Sequence, residues 1–150
     1  CATDAPPERL RGDLELLPTL AEAGLCVAAK DISQAGWIGT TMMLLECSAI
    51  GASLDVDAIP KPLAADAQRW LLSAFPSFGF VLAVKPRHAK QVIARFHARD
   101  LACAVIGQCN DSRKLELRSG SDRAIAWDFS QQALIGCGPS VSNTHEKAHA

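Results

Sequence analysis

The sequence predicts an α+β fold, with a mixed, largely antiparallel sheet and helices packed against it. Two observations support this class. Apolar residues at helical spacing and short apolar strand-like runs alternate through the first two thirds of the chain. Three strand-like segments then follow one another in the last third, separated by short polar turns. Mixed helices and strands followed by consecutive strands are typical of α+β domains.

The N-terminal elements follow from apolar spacing. Residues 1–9 are Pro-rich and predict a linker or frayed terminus. Residues 10–21 carry Leu and Ala at helical spacing around one proline, which predicts two short helices. The run 25–29 predicts a buried strand, and segment 37–48, with Glu46 as its only charge, predicts a helix inside the domain.

The middle of the chain continues this mixture. Segment 51–55 predicts a turn and a short strand, 65–73 a helix, and 78–84 a second buried strand. Pro86 suits the first turn of a further helix. The apolar stripe of that helix is formed by Ala89, Val92, Ile93 and Phe96.

The last third changes to a period of two. Segments 101–108, 114–119 and 124–129 predict three strands of an antiparallel meander, the last with Ile125, Trp127 and Phe129 on one face. Residues 136–150 are small and polar, which predicts a disordered tail. The expected domain therefore covers residues 10–135.

Composition excludes several classes of protein. The chain has 150 residues, 49% of them hydrophobic, with 15 Lys and Arg against 16 Asp and Glu. Its length suits one domain with a substantial core, and its apolar fraction excludes a disordered chain. The near-zero net charge argues against nucleic acid as a partner. No signal peptide or apolar run of ~20 residues is visible, so no membrane association and a cytoplasmic location are expected.

The six cysteines show no CxxC or CxH spacing, which predicts no metal site. Buried, reduced thiols are the expected state. The chain begins at Cys1, without an initiating Met, as a piece of a longer protein would.

The loop 31–36 is the candidate site. It joins the first strand to the apolar helix, whose first amides lack partners within the helix and carry the positive end of its dipole. Asp31, Ser33, Gly36 and Thr40 are the candidate substrate- or phosphate-binding residues, because glycine permits close approach and hydroxyls add hydrogen bonds. Ordinary helix capping by Asp31 or Ser33 is the alternative.

Two histidines and two aspartates can be interpreted either as structural or as functional residues. His88 and His97 lack the spacing of metal ligands on one helix face, so surface or structural histidines are expected. Asp55 and Asp57 are expected to be turn-forming carboxylates, with a place in the same cleft as Asp31 as the alternative.

The segment KDISQAGWIGTTMMLLECSAIGASLDVDAIPKP resembles the C-terminal domain of the aminoimidazole ribonucleotide (AIR) synthase superfamily, in particular AIR synthase-related proteins. That superfamily includes thiamine-monophosphate kinase and selenophosphate synthetase. Asp31, Ser33 and Gly36 match its D-x-S-x-G-G-like loop, and FPSFGFVLAVKP resembles its following strand. Gln34 and Ala35 depart from the pattern, because an acidic residue and a glycine are common there.

The resemblance implies the C-terminal, substrate-side domain of an ATP-dependent enzyme that transfers phosphate or activates a small molecule. It implies ATP and magnesium as cofactors, held mainly by an N-terminal domain absent from this chain, so the isolated domain is expected to be inactive. That domain and a small-molecule substrate are the implied partners, with a homodimer left open. The departure at Gln34 and Ala35 favours the alternative, a non-catalytic ligand-binding or assembly module that retains the fold; a regulatory anion-binding module is a third possibility.

Overall fold

A computed structural model of the chain describes residues 4–63, 65–73 and 79–138. The fold class predicted from the sequence, α+β, is confirmed. In chain order, the helices and strands are α1 (Pro7–Leu14), α2 (Leu16–Glu22), β1 (Ala28–Asp31), α3 (Gly36–Ser48), β2 (Gly51–Asp55), α4 (Ala67–Leu72), β3 (Phe80–Ala83), α5 (Ala89–His97), β4 (Gly107–Asn110), β5 (Lys114–Ser119) and β6 (Asp122–Asp128).

The chain divides into two compact units, each built from two separate stretches of sequence. Residues up to 41 together with 58–106 form the first unit, and 42–57 together with the residues from 107 onward form the second. None of the helices in the described ranges combines the length and the apolar character that crossing a bilayer requires.

The first unit contains a two-stranded antiparallel sheet of β1 and β3. Leu20 of α2, Leu25 and Val92 of α5 form its buried core. Four half-buried residues pack against this core: Cys26, Leu82, Val84 and Phe96. The apolar stripe predicted for α5 therefore lies against the core of this unit. The same contacts pack α2 and α5 against β3.

The second unit contains a four-stranded mixed sheet in the order β4-β2-β5-β6. β2 pairs antiparallel with β4 and parallel with β5, and β6 completes an antiparallel pair with β5. Ala52 and Leu54 of β2 lie beside Leu115 and Leu117 of β5 on one face. Because Ala52, Leu54 and Leu115 are buried, this face is the interior face of the sheet.

The predicted meander of three consecutive strands is wrong. Although β4 and β5 follow each other closely in sequence, β2 lies between them and separates them in the sheet. The strand predicted over 101–108 is also shorter, since β4 begins only at Gly107. The strands also form two sheets: within the described residues β1 pairs only with β3, and the other four strands form the second sheet. Phe78 of the predicted strand 78–84 lies outside those residues.

A β-bulge in β6 corrects the predicted apolar face of that strand. Trp127 lies opposite Leu115, but Ile125 lies opposite Glu116, so Ala126 is the extra residue of the bulge. Neighbouring residues of β5 point to opposite faces, and Ile125 and Trp127 therefore also do. Ile125 is 55% exposed as a result, rather than lying on the same face as Trp127.

Both predicted terminal segments are partly ordered. Helix α1 begins at Pro7, so residues 7–9 are helical rather than linker, with the proline in the first turn, where its missing N–H costs nothing. Residues 134–138 are described and contact the end of α3. Residues 1–3 of the predicted linker and 139–150 of the predicted tail lie outside the described residues.

Candidate functional site at the start of helix α3

Asp31 is the last residue of β1, where it pairs with Phe80 of β3. Its side chain is 66% exposed, and its Oδ1 lies 3.6 Å from Lys30 Nζ. Within the described residues Asp31 accepts no hydrogen bond from an amide of α3, so the structure does not show the capping role weighed for it. The carboxylate is instead accessible at the end of the strand.

The turn after β1 is closed by hydrogen bonds among the residues predicted to form the site. The amide of Gly36 donates to the carbonyl oxygen of Ser33 at 2.9 Å, and the amide of Ser33 donates to Oγ1 of Thr40 at 3.1 Å. Thr40 is completely buried. Hydrogen bonds therefore join Ser33 to both Gly36 and Thr40. The buried Thr40 side chain holds the loop in place.

Gly36 packs against the end of α4 and requires glycine for two reasons. Its φ of +65° lies in the left-handed region, which residues with a Cβ adopt only at a cost. A Cβ at this position would also lie 2.6 Å from the carbonyl oxygen of Leu71. Nearby, the rings of Trp37 and Trp70 are 6.3 Å apart and tilted by 43°. This contact fixes the start of α3 against α4.

The first turn of α3 contains backbone donors that meet no acceptor in the described part of the chain. The carbonyl of Ala35 accepts the amide of Gly39 at 3.1 Å, which begins the hydrogen-bond ladder of the helix. The amides of Trp37 and Ile38 meet no acceptor within the described residues. The buried indole Nε1 of Trp37 also lacks a partner in that part of the chain. Amides at a helix N-terminus carry partial positive charge and suit an anion.

The other candidate residues make hydrogen bonds that hold turns and chain segments in place. Asp55 Oδ1 accepts a hydrogen bond from the amide of Asp57 at 3.0 Å, as a turn-forming carboxylate does. Asp57 instead accepts hydrogen bonds from Ser119 Oγ at 3.0 Å and from the amide of Gly120 at 3.1 Å, in the turn between β5 and β6. His97 Nε2 lies 3.1 Å from the carbonyl oxygen of Cys103. Across the described ranges, no three His, Cys, Asp or Glu side chains converge as metal ligands would.

Glu46 has a role that the sequence analysis missed. It is 4% exposed. Its carboxylate oxygens accept hydrogen bonds from the backbone amides of Leu134 at 2.6 Å, Ile135 at 3.0 Å and Gly136 at 3.3 Å. Burial raises the pKa of Glu46, but these amides outweigh burial and bring the pKa below its ordinary value. A single charge in an otherwise apolar helix was the available signal, because a buried charge requires partners.

The neighbouring Cys47 forms a disulfide with Cys137, 90 residues further along the chain. The expectation that the cysteines are reduced thiols is wrong for this pair. Sequence spacing carries no information about such a contact, because the fold brings the two residues together. Cys26, Cys103 and Cys109 are free thiols in the described part of the chain.

The class of protein follows from comparison of the chain with known families. Residues 4–120 match the family described as AIR synthase related protein, C-terminal domain. The chain belongs to this family, as the resemblance of its loop and helix implies.

Two curated relatives share this region. An uncharacterised protein of Synechocystis sp., sll0787, is 47% identical over 135 residues, which is 90% of this chain and 42% of the relative. An uncharacterised protein of Methanocaldococcus jannaschii, MJ0640, is 33% identical over 128 residues, which is 85% of this chain and 39% of the relative. The chain therefore spans less than half the length of either protein.

Solved structures share the fold. PurL of Thermotoga maritima complexed with ADP matches 84% of this chain and 22% of its own, with a TM-score of 0.68 and 15% identity. A HypE–HypF complex matches 79% of this chain and 41% of its own, with a TM-score of 0.65 and 17% identity. HypE of E. coli, a hydrogenase maturation protein, matches 69% of this chain and 35% of its own, with a TM-score of 0.55 and 23% identity. At these identities the likeness concerns the fold.

Proposed function

We propose that this chain is the substrate-side domain of an AIR synthase-like enzyme, which uses ATP to phosphorylate or otherwise activate a small molecule. The observation that carries the proposal is the start of α3. There, in a chain of this family, the amides of Trp37 and Ile38 have no acceptor within the described residues. Leaving donors without partners costs free energy, which a bound phosphate or carboxylate would recover.

Residues of the loop and of the first turns of α3 have proposed parts in holding the anion. The amides of Trp37 and Ile38 donate to it, and the Ser33 hydroxyl adds a third hydrogen bond. The exposed carboxylate of Asp31 orients a cationic group of the substrate or of the metal–nucleotide. Thr40 is a positioning residue, because it is buried and its hydroxyl holds the amide of Ser33.

ATP and magnesium are proposed to bind mainly outside this chain. The described residues contain no cluster of acidic side chains suited to magnesium ions. The relatives are more than twice as long as the matched region, which leaves room for a nucleotide-binding domain in the same polypeptide. Solved structures show PurL in complex with ADP and with ATP, and HypE in complex with HypF, which supports nucleotide use and partner domains as the expectation for this family.

The chemistry proposed for this domain is positioning. ATP supplies the phosphoryl group, and this chain holds an anionic substrate group at the start of α3, with its orientation fixed by the loop. Such transfers depend chiefly on positioning and on stabilising charge. A small-molecule substrate and an ATP-binding domain are therefore the proposed partners, and pairing of two copies is compatible with this arrangement.

The test is ATP hydrolysis by the longest natural form of the protein, assayed with and without candidate anionic metabolites. We expect hydrolysis that depends on one substrate. Ser33→Ala should lower kcat/KM by about 10–100-fold, because a hydrogen bond to a charged group is worth about 1.5–3 kcal/mol. Asp31→Asn should also lower it, whereas Asp111→Asn, at an exposed position in the connection between β4 and β5, should not. Hydrolysis that no substrate stimulates would favour the non-catalytic module instead.

Calorimetry on the 150-residue chain alone tests whether the nucleotide site lies outside this chain. We expect weak or no binding of ATP. Tight ATP binding by this chain would contradict the placement of the nucleotide site outside it.

A further inference from the structure

Residues 134–138, called the strap below, are attached to the last turns of α3 in two independent ways. One attachment is the carboxylate of Glu46, which accepts the amides of residues 134, 135 and 136. The other is the disulfide between Cys47 and Cys137. The two attachment points on the helix are adjacent in sequence, so both act on the same short stretch of backbone.

The two attachments respond to different chemistry. The hydrogen bonds to Glu46 form in any redox state, whereas the disulfide exists only under oxidising conditions. Both cysteines occupy exposed positions, so a dithiol can reach the bond. Cys109 is exposed as well but is a free thiol, and it provides an internal comparison.

We propose that the strap is a thiol–disulfide-controlled clasp, whose attachment to α3 is tight when Cys47 and Cys137 are joined and loosened when they are reduced. Of these two attachments, the one to Glu46 is the one that remains in the reduced state. The proposal is independent of the loop at the start of α3.

The chemical step is dithiol–disulfide exchange. A thiolate of the reductant attacks one sulfur of the pair, and the other sulfur leaves as a thiolate and takes up a proton. The second thiol of the reductant then attacks the mixed disulfide, which frees the remaining cysteine. Two electrons and two protons thus pass from the dithiol to Cys47 and Cys137, and the dithiol becomes a cyclic disulfide.

Amide hydrogen exchange on the whole chain, oxidised with glutathione disulfide or reduced with dithiothreitol, tests the clasp. We expect peptide mapping to find the 47–137 cross-link after oxidation. Reduction should speed exchange at residues 134–136 at least about tenfold, because a disulfide restricts opening of the loop it closes. Reoxidation should restore the slow exchange. The reduced chain should show a further increase with Glu46→Gln.

Two variants provide controls. Cys109→Ser should exchange like the wild-type chain in both redox states, and Cys137→Ser should exchange rapidly in both. If Cys137→Ser does not fold, reduction of the wild-type chain answers the same question. The proposal is overturned if the 47–137 cross-link does not form, or if residues 134–136 exchange equally in both states. An equal increase at the buried amide of Leu115 would also overturn it, because that would indicate general destabilisation rather than release of the strap.

Discussion

Ala35 fills the space beside Gly39. A Cβ built on Gly39 would lie 2.3 Å from the Cβ of Ala35, closer than two non-bonded carbon atoms can approach. The residue before α3 therefore folds back over the first turn of the helix. Glycine at position 39 and alanine at position 35 are a complementary pair, and the size of one limits the size of the other.

Gly39→Ala should destabilise the chain by about 1–3 kcal/mol, as overpacking usually does. In an ordinary helix interior the same change would stabilise by about 1 kcal/mol, so the sign is diagnostic. Adding Ala35→Gly to Gly39→Ala should recover most of the loss. Urea denaturation of the single and double variants measures this. A stabilised Gly39→Ala chain would show that Ala35 moves away freely.

Gly36→Ala and Gly24→Ala separate backbone strain from crowding. Both glycines have φ of +65°, but a Cβ at Gly24 meets nothing within 4 Å, whereas one at Gly36 meets the backbone of α4. Gly24→Ala should cost about 1–2 kcal/mol, the left-handed penalty alone. Gly36→Ala should cost at least about 1 kcal/mol more, because of the clash. Equal losses of stability for the two variants in chemical denaturation would mean that the backbone of α4 moves away from the added Cβ at no energetic cost.

Glu46→Gln should destabilise the chain by about 1–3 kcal/mol at neutral pH, because hydrogen bonds to a charged acceptor are replaced by weaker ones. The pKa of Glu46 is lowered in the folded chain from an ordinary value of 4.5. The stabilisation is therefore complete above pH 4.5 and is lost as the pH falls through the folded pKa. The difference between wild type and Glu46→Gln should shrink over that acidic range.

Thermal unfolding as a function of pH gives the comparison for Glu46. Glu22→Gln, at an exposed position in the last turn of α2, is the matched control and should change stability little. A gap between wild type and Glu46→Gln that stayed constant down to strongly acidic pH would contradict a lowered pKa.

Phe129→Ala and Ile125→Ala test the bulge in β6. Phe129 is 2% exposed, and its truncation should cost about 3–5 kcal/mol. Ile125 is on the exposed face, so its truncation should change stability by no more than about 0.5 kcal/mol. Guanidinium denaturation measures both. A large loss of stability in Ile125→Ala would contradict the bulge and would support the regular strand that the sequence predicts.

Local pattern was sufficient where burial dictates which residues an element carries. The strict alternation over 114–119 predicts β5, and the apolar segment 37–48 predicts α3, because burial leaves few alternatives. The loop 31–36 was also found from its position between strand and helix. Its internal hydrogen bonds were not, because they depend on Thr40 being buried beneath Ser33.

The errors share a different cause. The insertion of β2 between β4 and β5, the bulge at Ala126 and the Cys47–Cys137 disulfide all join residues through the fold rather than through sequence proximity. A short connection between strands favours a hairpin, and nothing local in the sequence signals that a third strand intervenes. Glu46 was the one local clue, since its burial required donors from elsewhere in the chain.

The order β4-β2-β5 also has a consequence for synthesis on the ribosome. β2 is made before the strands with which it pairs, which emerge about fifty to sixty residues later, and contacts so distant in sequence form slowly. During that interval β2 and the end of α3 have exposed apolar residues and unpaired backbone groups, which chaperones recognise and aggregates recruit. The slow step of folding in this chain should therefore be the closure of β4 and β5 around β2.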